Sequence, residues 1–275
     1  MSSPATLGRR RATASMLVRS ELRKIVSTRL WWGLLLGAVV YTAVQAGVTA
    51  GFAGVSPGAG RPASPGLDDA AGIRSVYAQA LFTGSYIFAM ILGITGMTGE
   101  YRYQTITPTF LASPRRGRVV GAKLAAHLVV GVGYGLVAMV TALLVGGVVI
   151  AIRGYGLGYG ADRLWPAIVL GVLAVALWTV LGIGIGTLIR SQVAAILIAI
   201  FITFLLEPLV TFALSSVGAD WAVQWLPTNA SSALMAPGTP LVHYLVWWAG
   251  GLVLVGYALV LAGLGLVLSV RRDIS

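Results

Sequence analysis

The sequence predicts an all-α, polytopic membrane protein: six transmembrane helices, an amphipathic interfacial helix ahead of them, and a compact cytoplasmic element between spans two and three. Three observations predict it. Only 10% of the residues are charged and 57% are apolar, far from the roughly 25% charged residues of an average soluble domain. Six apolar runs approach the about 20 residues that a helix needs to cross a hydrocarbon core about 30 Å thick. Once those runs are threaded, the basic residues fall mostly on one side.

Residues 1–14 form a basic tail containing Arg9, Arg10 and Arg11. No early apolar core accompanies them, so they do not resemble a cleavable signal peptide, and span one serves as its own insertion signal. Residues 15–30 follow a helical period, with Val18, Leu22, Ile25 or Val26, and Leu30 on one face and Arg19, Arg23, Lys24 and Ser27 largely on another. That pattern, which also carries Glu21, reads as an amphipathic helix along the cytoplasmic surface. The blander reading is a basic flank that only sets topology.

The transmembrane domain occupies residues 31–270, with spans at about 31–53, 78–98, 124–152, 165–189, 193–215 and 245–269; the third is long enough to tilt or to project from the bilayer. Residues 271–275 form a second cytoplasmic tail. With the N-terminus inside, fifteen of the 19 basic residues lie on that side and only Arg61, Arg74, Arg153 and Arg163 on the other. The positive-inside rule then places both termini in the cytoplasm. This distribution accounts for the net charge of +11 and removes the case for nucleic acid. Trp31, Trp32, Trp165, Trp178, Trp247 and Trp248 mostly mark span ends, where amphipathic rings favour the interface.

The external loops differ in kind. Residues 54–77 open with an irregular Gly/Pro/Ser-rich stretch, and then Asp68 and Asp69 precede a helical run into span two. The last loop, 216–244, has no Lys or Arg and carries Trp221, Trp225, Leu226 and Leu234, broken by Pro227, Pro237 and Pro240. It reads as short helices that dip into the outer leaflet or cap the bundle.

Several residues carry candidate functions. After span two, Glu100 stands at the membrane boundary, followed by Arg102, Thr105, Ile106, Phe110, Leu111, Pro114, Arg115 and Arg116, with Lys123 closing the basic cluster. Ile106, Phe110 and Leu111 form an apolar knob, and Glu100 and the arginines form charged edges, as docking on a soluble partner requires. A solvated loop with headgroup-binding arginines is the plainer alternative. Gly182 and Gly186 lie inside an apolar span with no preceding strand, so close helix packing accounts for them better than a dinucleotide loop. Glu207 is the acidic residue deep inside a span, where a charge costs about 2.5 to 3.5 kcal/mol on insertion scales. It reads as a translocation-path or gating residue; the plainer alternatives are a position nearer the outer interface or a structural hydrogen bond beside the Pro208 kink. His127 and His243 fall on opposite predicted sides, which excludes a paired-histidine metal site within one chain.

The chain resembles the integral-membrane subunits of ABC-2 type exporters. The resemblance rests on Ser20-Glu21-Leu22-Arg23-Lys24 through Trp31-Trp32, on Gly99-Glu100-Tyr101-Arg102 with Thr105-Ile106 and Ser113-Pro114-Arg115-Arg116 through Lys123, and on Gly182 to Gly186 with Arg190 and Ser191. One departure is Gln104, where a glycine before the threonine is common. The resemblance implies that residues near 100–116 form a cytoplasmic coupling helix seated in a separate ATP-binding subunit, with the 15–30 helix packed beside it. It further implies two copies of that subunit, a second permease chain in a homodimer or heterodimer, export across a bacterial cytoplasmic membrane, and a drug, antibiotic or lipid-like substrate. No Gly-x-x-x-x-Gly-Lys-Ser/Thr run occurs in the chain, so there is no phosphate cradle; no cofactor is expected here, and ATP and Mg belong to the partner. A membrane anchor or adaptor recruiting a cytoplasmic protein through the same loop is the alternative from another class. A membrane enzyme ranks third, because neither a serine with a positioned base nor a His-Glu-x-x-His cluster is present.

Overall fold

The computed structural model describes residues 14–56, 64–103, 116–235 and 245–272, and among them every regular element is helical. Helix α1 (Ala14–Ser27) stops at Thr28 and Arg29, and the chain turns into span one, α2 (Leu30–Gly51). The Trp31 indole N–H donates to the Val26 carbonyl at 3.0 Å across this break, and the Tyr134 hydroxyl of span three donates to the Trp31 carbonyl. Spans two to six follow as α3 (Ala70–Arg102), α4 (Arg116–Ile152), α5 (Leu164–Leu188), α6 (Gln192–Ser216) and α9 (Trp247–Arg272). Two short helices, α7 (Asp220–Val223) and α8 (Pro227–Met235), lie between spans five and six. Among the described residues six helices are long and apolar enough to cross a bilayer, and each overlaps a run expected from the sequence.

The spans are not equivalent. In the most apolar stretch of α3, 78% of the residues are buried, and in that of α5 72%, against 22% in α2, α6 and α9. Spans two and four are thus the centre of the bundle. Their contact is backbone-close: a Cβ on Gly93 would run into the Thr179 carbonyl and the Ile183 amide, and one on Gly182 into the Met90 carbonyl and the Ile94 amide. Gly186 sits against Ile94 and Met97 one turn further on. Without a hydrophobic drive between lipid-bathed helices, such close approach supplies the packing energy.

The bundle has a proximal end, which carries α1, and an opposite, distal end. At the distal end Asp69 caps α3 by accepting from the Ala71 amide at 3.3 Å, as the acidic pair before span two leads one to expect. Arg153 donates to the Ala50 and Ala53 carbonyls at 2.8 and 2.9 Å, a cation satisfying the open C-terminus of α2. α8 packs against α5 and α9 and buries Ala230, Ser231, Ala233, Leu234 and Met235. One expectation is corrected: Trp178 is not at a span end but in the middle of α5, 2% exposed. Its N–H needs an internal acceptor there and finds Ser231 Oγ of α8 at 2.8 Å, which is why the ring can sit away from the interface.

Candidate functional site

Four charged side chains from three elements meet at the proximal end. α1 contributes Glu21 and Lys24, one turn apart; the last turns of α3 contribute Glu100; the second turn of α4 contributes Lys123. Lys123 Nζ donates to Glu21 Oε2 at 2.7 Å, to Glu100 Oε1 at 2.9 Å and to the Gly96 carbonyl at 3.3 Å. All three ammonium protons therefore have acceptors. Lys24 Nζ lies 2.5 Å from Glu21 Oε1 and 3.1 Å from Glu100 Oε1. Glu21, Glu100 and Lys123 are buried, whereas the Lys24 side chain is 47% exposed.

The arrangement follows from the helical period of α1. Glu21 lies on the same stripe as Val18 and Ile25, so docking the apolar stripe on the bundle carries the carboxylate inward. A single buried charge would be prohibitive, but two carboxylates against two ammonium groups make a neutral set with its hydrogen-bonding capacity used. Burial pushes the Glu21 carboxyl up, but Lys123 and Lys24 outweigh it and hold the group below its usual range. Burial likewise works against the Lys24 charge, and Glu21 and Glu100 more than offset it, raising Lys24 above an ordinary lysine.

One turn beyond Lys123, His127 is 1% exposed and its Nδ1 lies 2.9 Å from the Lys123 carbonyl. A carbonyl only accepts, so Nδ1 carries the proton and Nε2 is a bare lone pair, buried without a partner. Gly96 leaves the room for that ring, since a Cβ there would overlap it. At the same end Arg190, after span four, stacks over the Tyr101 ring at 5.8 Å, which ties the junction of spans four and five to the end of span two.

The network brackets the segment between spans two and three. Thr105, Ile106, Phe110, Leu111, Pro114 and Arg115 lie outside the described residues, as does the Arg116 side chain at the start of α4. What the structure describes is both roots of that segment, Glu100 and Lys123, joined to each other and to α1. Two expectations change. Glu100 was read as an outward charged edge, but its carboxylate turns inward, because buried Lys123 offers it a stronger partner than water does. Lys123 was counted with the basic residues of the loop, yet it is 4% exposed inside α4. Arg102 is exposed in the last turn of α3, its guanidinium 5.8 Å from the Tyr103 ring. Arg23 and Arg19 point away from the bundle and form no ion pair among the described residues.

A second polar site lies in span five. Glu207 is 6% exposed and accepts from the Thr228 amide at 2.6 Å and the Thr228 hydroxyl at 2.8 Å. The carboxylate thus sits on the first turn of α8, where free amide protons and the helix dipole favour negative charge. Among the described residues no group of three or more His, Cys, Asp or Glu side chains could hold a metal ion.

A protein-family model described as ABC-2 family transporter protein matches residues 17–206, from α1 to the middle of span five. No curated protein matches the chain.

Proposed function

The chain belongs to the ABC-2 transporter family, and on that premise we propose that it is the permease subunit of an exporter moving a hydrophobic or amphipathic substrate, a drug, antibiotic or lipid-like molecule, powered by a separate ATP-binding subunit. Members of this family are membrane components of transporters and rely in general on an ABC ATP-binding partner. In our reading two copies of that partner bind ATP and Mg, and this polypeptide needs no cofactor. Two permease chains, alike or unlike, enclose the path. The proximal end faces the cytoplasm of a bacterial cell with both termini, as the basic residues favour.

The observation that carries the reading is the ion network at the roots of the 104–115 segment. A partner pressing on that segment through Ile106, Phe110 and Leu111, oriented by Arg102, Thr105, Pro114, Arg115 and Arg116, would act on α3 through Glu100, on α4 through Lys123 and on α1 through Glu21 and Lys24. A rigid neutral clamp is suited to passing a displacement to three helices at once, because buried ion pairs yield only at high cost.

The test is a pull-down of the tagged chain from native membranes in mild detergent, repeated with Phe110→Asp, with co-purifying proteins identified by mass spectrometry. A stoichiometric ATPase carrying a Gly-x-x-x-x-Gly-Lys-Ser/Thr motif, lost in the variant, is the expected result. Absence of an ATPase in every detergent would overturn the permease reading in favour of a membrane anchor.

A further inference from the structure

Span five is among the least buried of the six spans, and it carries a carboxylate within its apolar length. Three side-chain hydrogen bonds join α6 to the first turn of α8. Glu207 takes two from Thr228, and Asn229 Nδ2 donates to Thr211 Oγ1 at 3.4 Å. α8 is itself fixed to the bundle: Ser231 Oγ accepts from Trp178 of α5 and donates to the Pro227 carbonyl, each at 2.8 Å. On its other side Gly250 of α9 lies against the Ala230 backbone, where a Cβ would not fit.

α6 also changes character immediately before Glu207. Residues Ile202–Leu206 form a π-helical turn, and Pro208 brings no N–H to the ladder and restricts the residue before it. Both features mark places where helices bend. Below the turn, residues Gln192–Phe201 pack on α3 and α5; above it, Glu207–Ser216 packs on the π-helical turn and on α7. The two halves of span five therefore rest on different parts of the molecule.

We propose that Glu207 is a positioning residue: with Thr228 it forms a clasp that fastens the distal half of span five, beyond the π-helical turn 202–206, to α8 and through α8 to spans four and six. The clasp needs a carboxylate because the first turn of α8 presents several amide protons that a hydrocarbon-facing helix cannot supply. A charged acceptor bonds them more strongly than a neutral one. This goes beyond the permease reading and is independent of any ATPase.

The experiment is hydrogen exchange read by mass spectrometry on the purified full chain in lipid nanodiscs, without a partner protein. Glu207→Ala is expected to speed exchange across 207–216 by about tenfold to a hundredfold, leaving α1, residues 192–201 and the bundle-packed residues 230–235 at the wild-type rate. Glu207→Gln retains acceptor and donor geometry and should fall between wild type and Ala; Thr228→Ser, which keeps both bonds, should match wild type. Thr228→Val removes only the hydroxyl and carries the test if Glu207→Ala cannot be purified. Unchanged exchange in both Glu207→Ala and Thr228→Val, acceleration confined to residues 228–229, or Gln as fast as Ala would each overturn the clasp.

Discussion

Replacing Lys123 with methionine tests the proximal network most directly, because methionine fills much of the lysine volume and removes only the ammonium. Lys123 Nζ faces two carboxylate oxygens at 2.7 and 2.9 Å and a carbonyl at 3.3 Å. Each charge pair at such range is worth about 6 kcal/mol at an effective dielectric constant near 20, roughly 12 for the two, before the several kcal/mol that burying each charge costs. The variant also strands Glu21 and Glu100 with one half-exposed lysine between them. Because desolvation offsets most of the attraction, the expected net loss is about 3–5 kcal/mol, the range for breaking a buried pair from one side. Unfolding of the purified chain in mixed micelles by SDS titration, followed by circular dichroism, would measure it. Glu21→Gln completes the cycle: once Lys123 is gone, neutralising Glu21 relieves a stranded charge, so the double variant should be more stable than the sum of the singles predicts by about 1–3 kcal/mol. A cost for Lys123→Met below about 1 kcal/mol, the worth of an exposed pair, or strict additivity would refute the clamp.

The same network sets a pH dependence that α1 should report. Glu21 titrates below its unfolded value, so its contribution is present above about pH 4.3 and is lost as pH falls through the lower folded value. Lys24 is shifted upward, so its contribution, discounted for partial exposure, holds below about pH 10.4 and fades as pH rises through its folded value. Because the chain has no cysteine, a fluorophore on Ser20→Cys labels exposed α1 alone; its anisotropy should stay flat from about pH 5 to 10 and fall in more acid solution, and Glu21→Gln should remove the acid step. At the crossing of spans two and four, Gly93→Ala and Gly182→Ala should each cost about 1–3 kcal/mol by overpacking, since their Cβ atoms meet backbone. Gly133→Ala, which meets nothing within 4 Å, should be neutral or stabilise by up to about 1 kcal/mol, and equal effects at all three positions would remove close approach as the cause.

Much of the fold is legible in the sequence because each span is a local property: a run of apolar residues long enough to cross hydrocarbon is visible without knowing its neighbours. Which spans form the centre is not visible in that way. Of α3 and α4, α4 is the more apolar, yet 78% of the most apolar stretch of α3 is buried and only 33% of that of α4, and hydropathy does not distinguish a lipid-facing side chain from a protein-facing one. The glycines carry part of the answer, since Gly93 and Gly182 face each other's helix backbone while Gly133 faces open space. Only the partner helix separates them.

The proximal site was half legible for a similar reason. Glu21, Lys24 and Glu100 are named by the sequence pattern, but their meeting depends on where α1 docks. A signal was nevertheless present. Glu21 falls between Val18 and Ile25 on the apolar stripe of an amphipathic helix, and Lys123 falls between Ala122 and Leu124 in a segment that is otherwise apolar up to His127. A charge on the wrong face of a helix is costly alone and cheap in a pair. One acidic and one basic violation, on elements flanking the same membrane boundary, are therefore each other's most economical solution. Glu207 obeys the same logic with a different partner: no lysine or arginine pairs with it among the described residues, so a helix terminus supplies the positive end. That choice separates the two sites physically. The Lys123 clamp is built from full charges that join three elements, whereas the Glu207 clasp uses an amide proton and a hydroxyl at the start of a nine-residue helix and joins two.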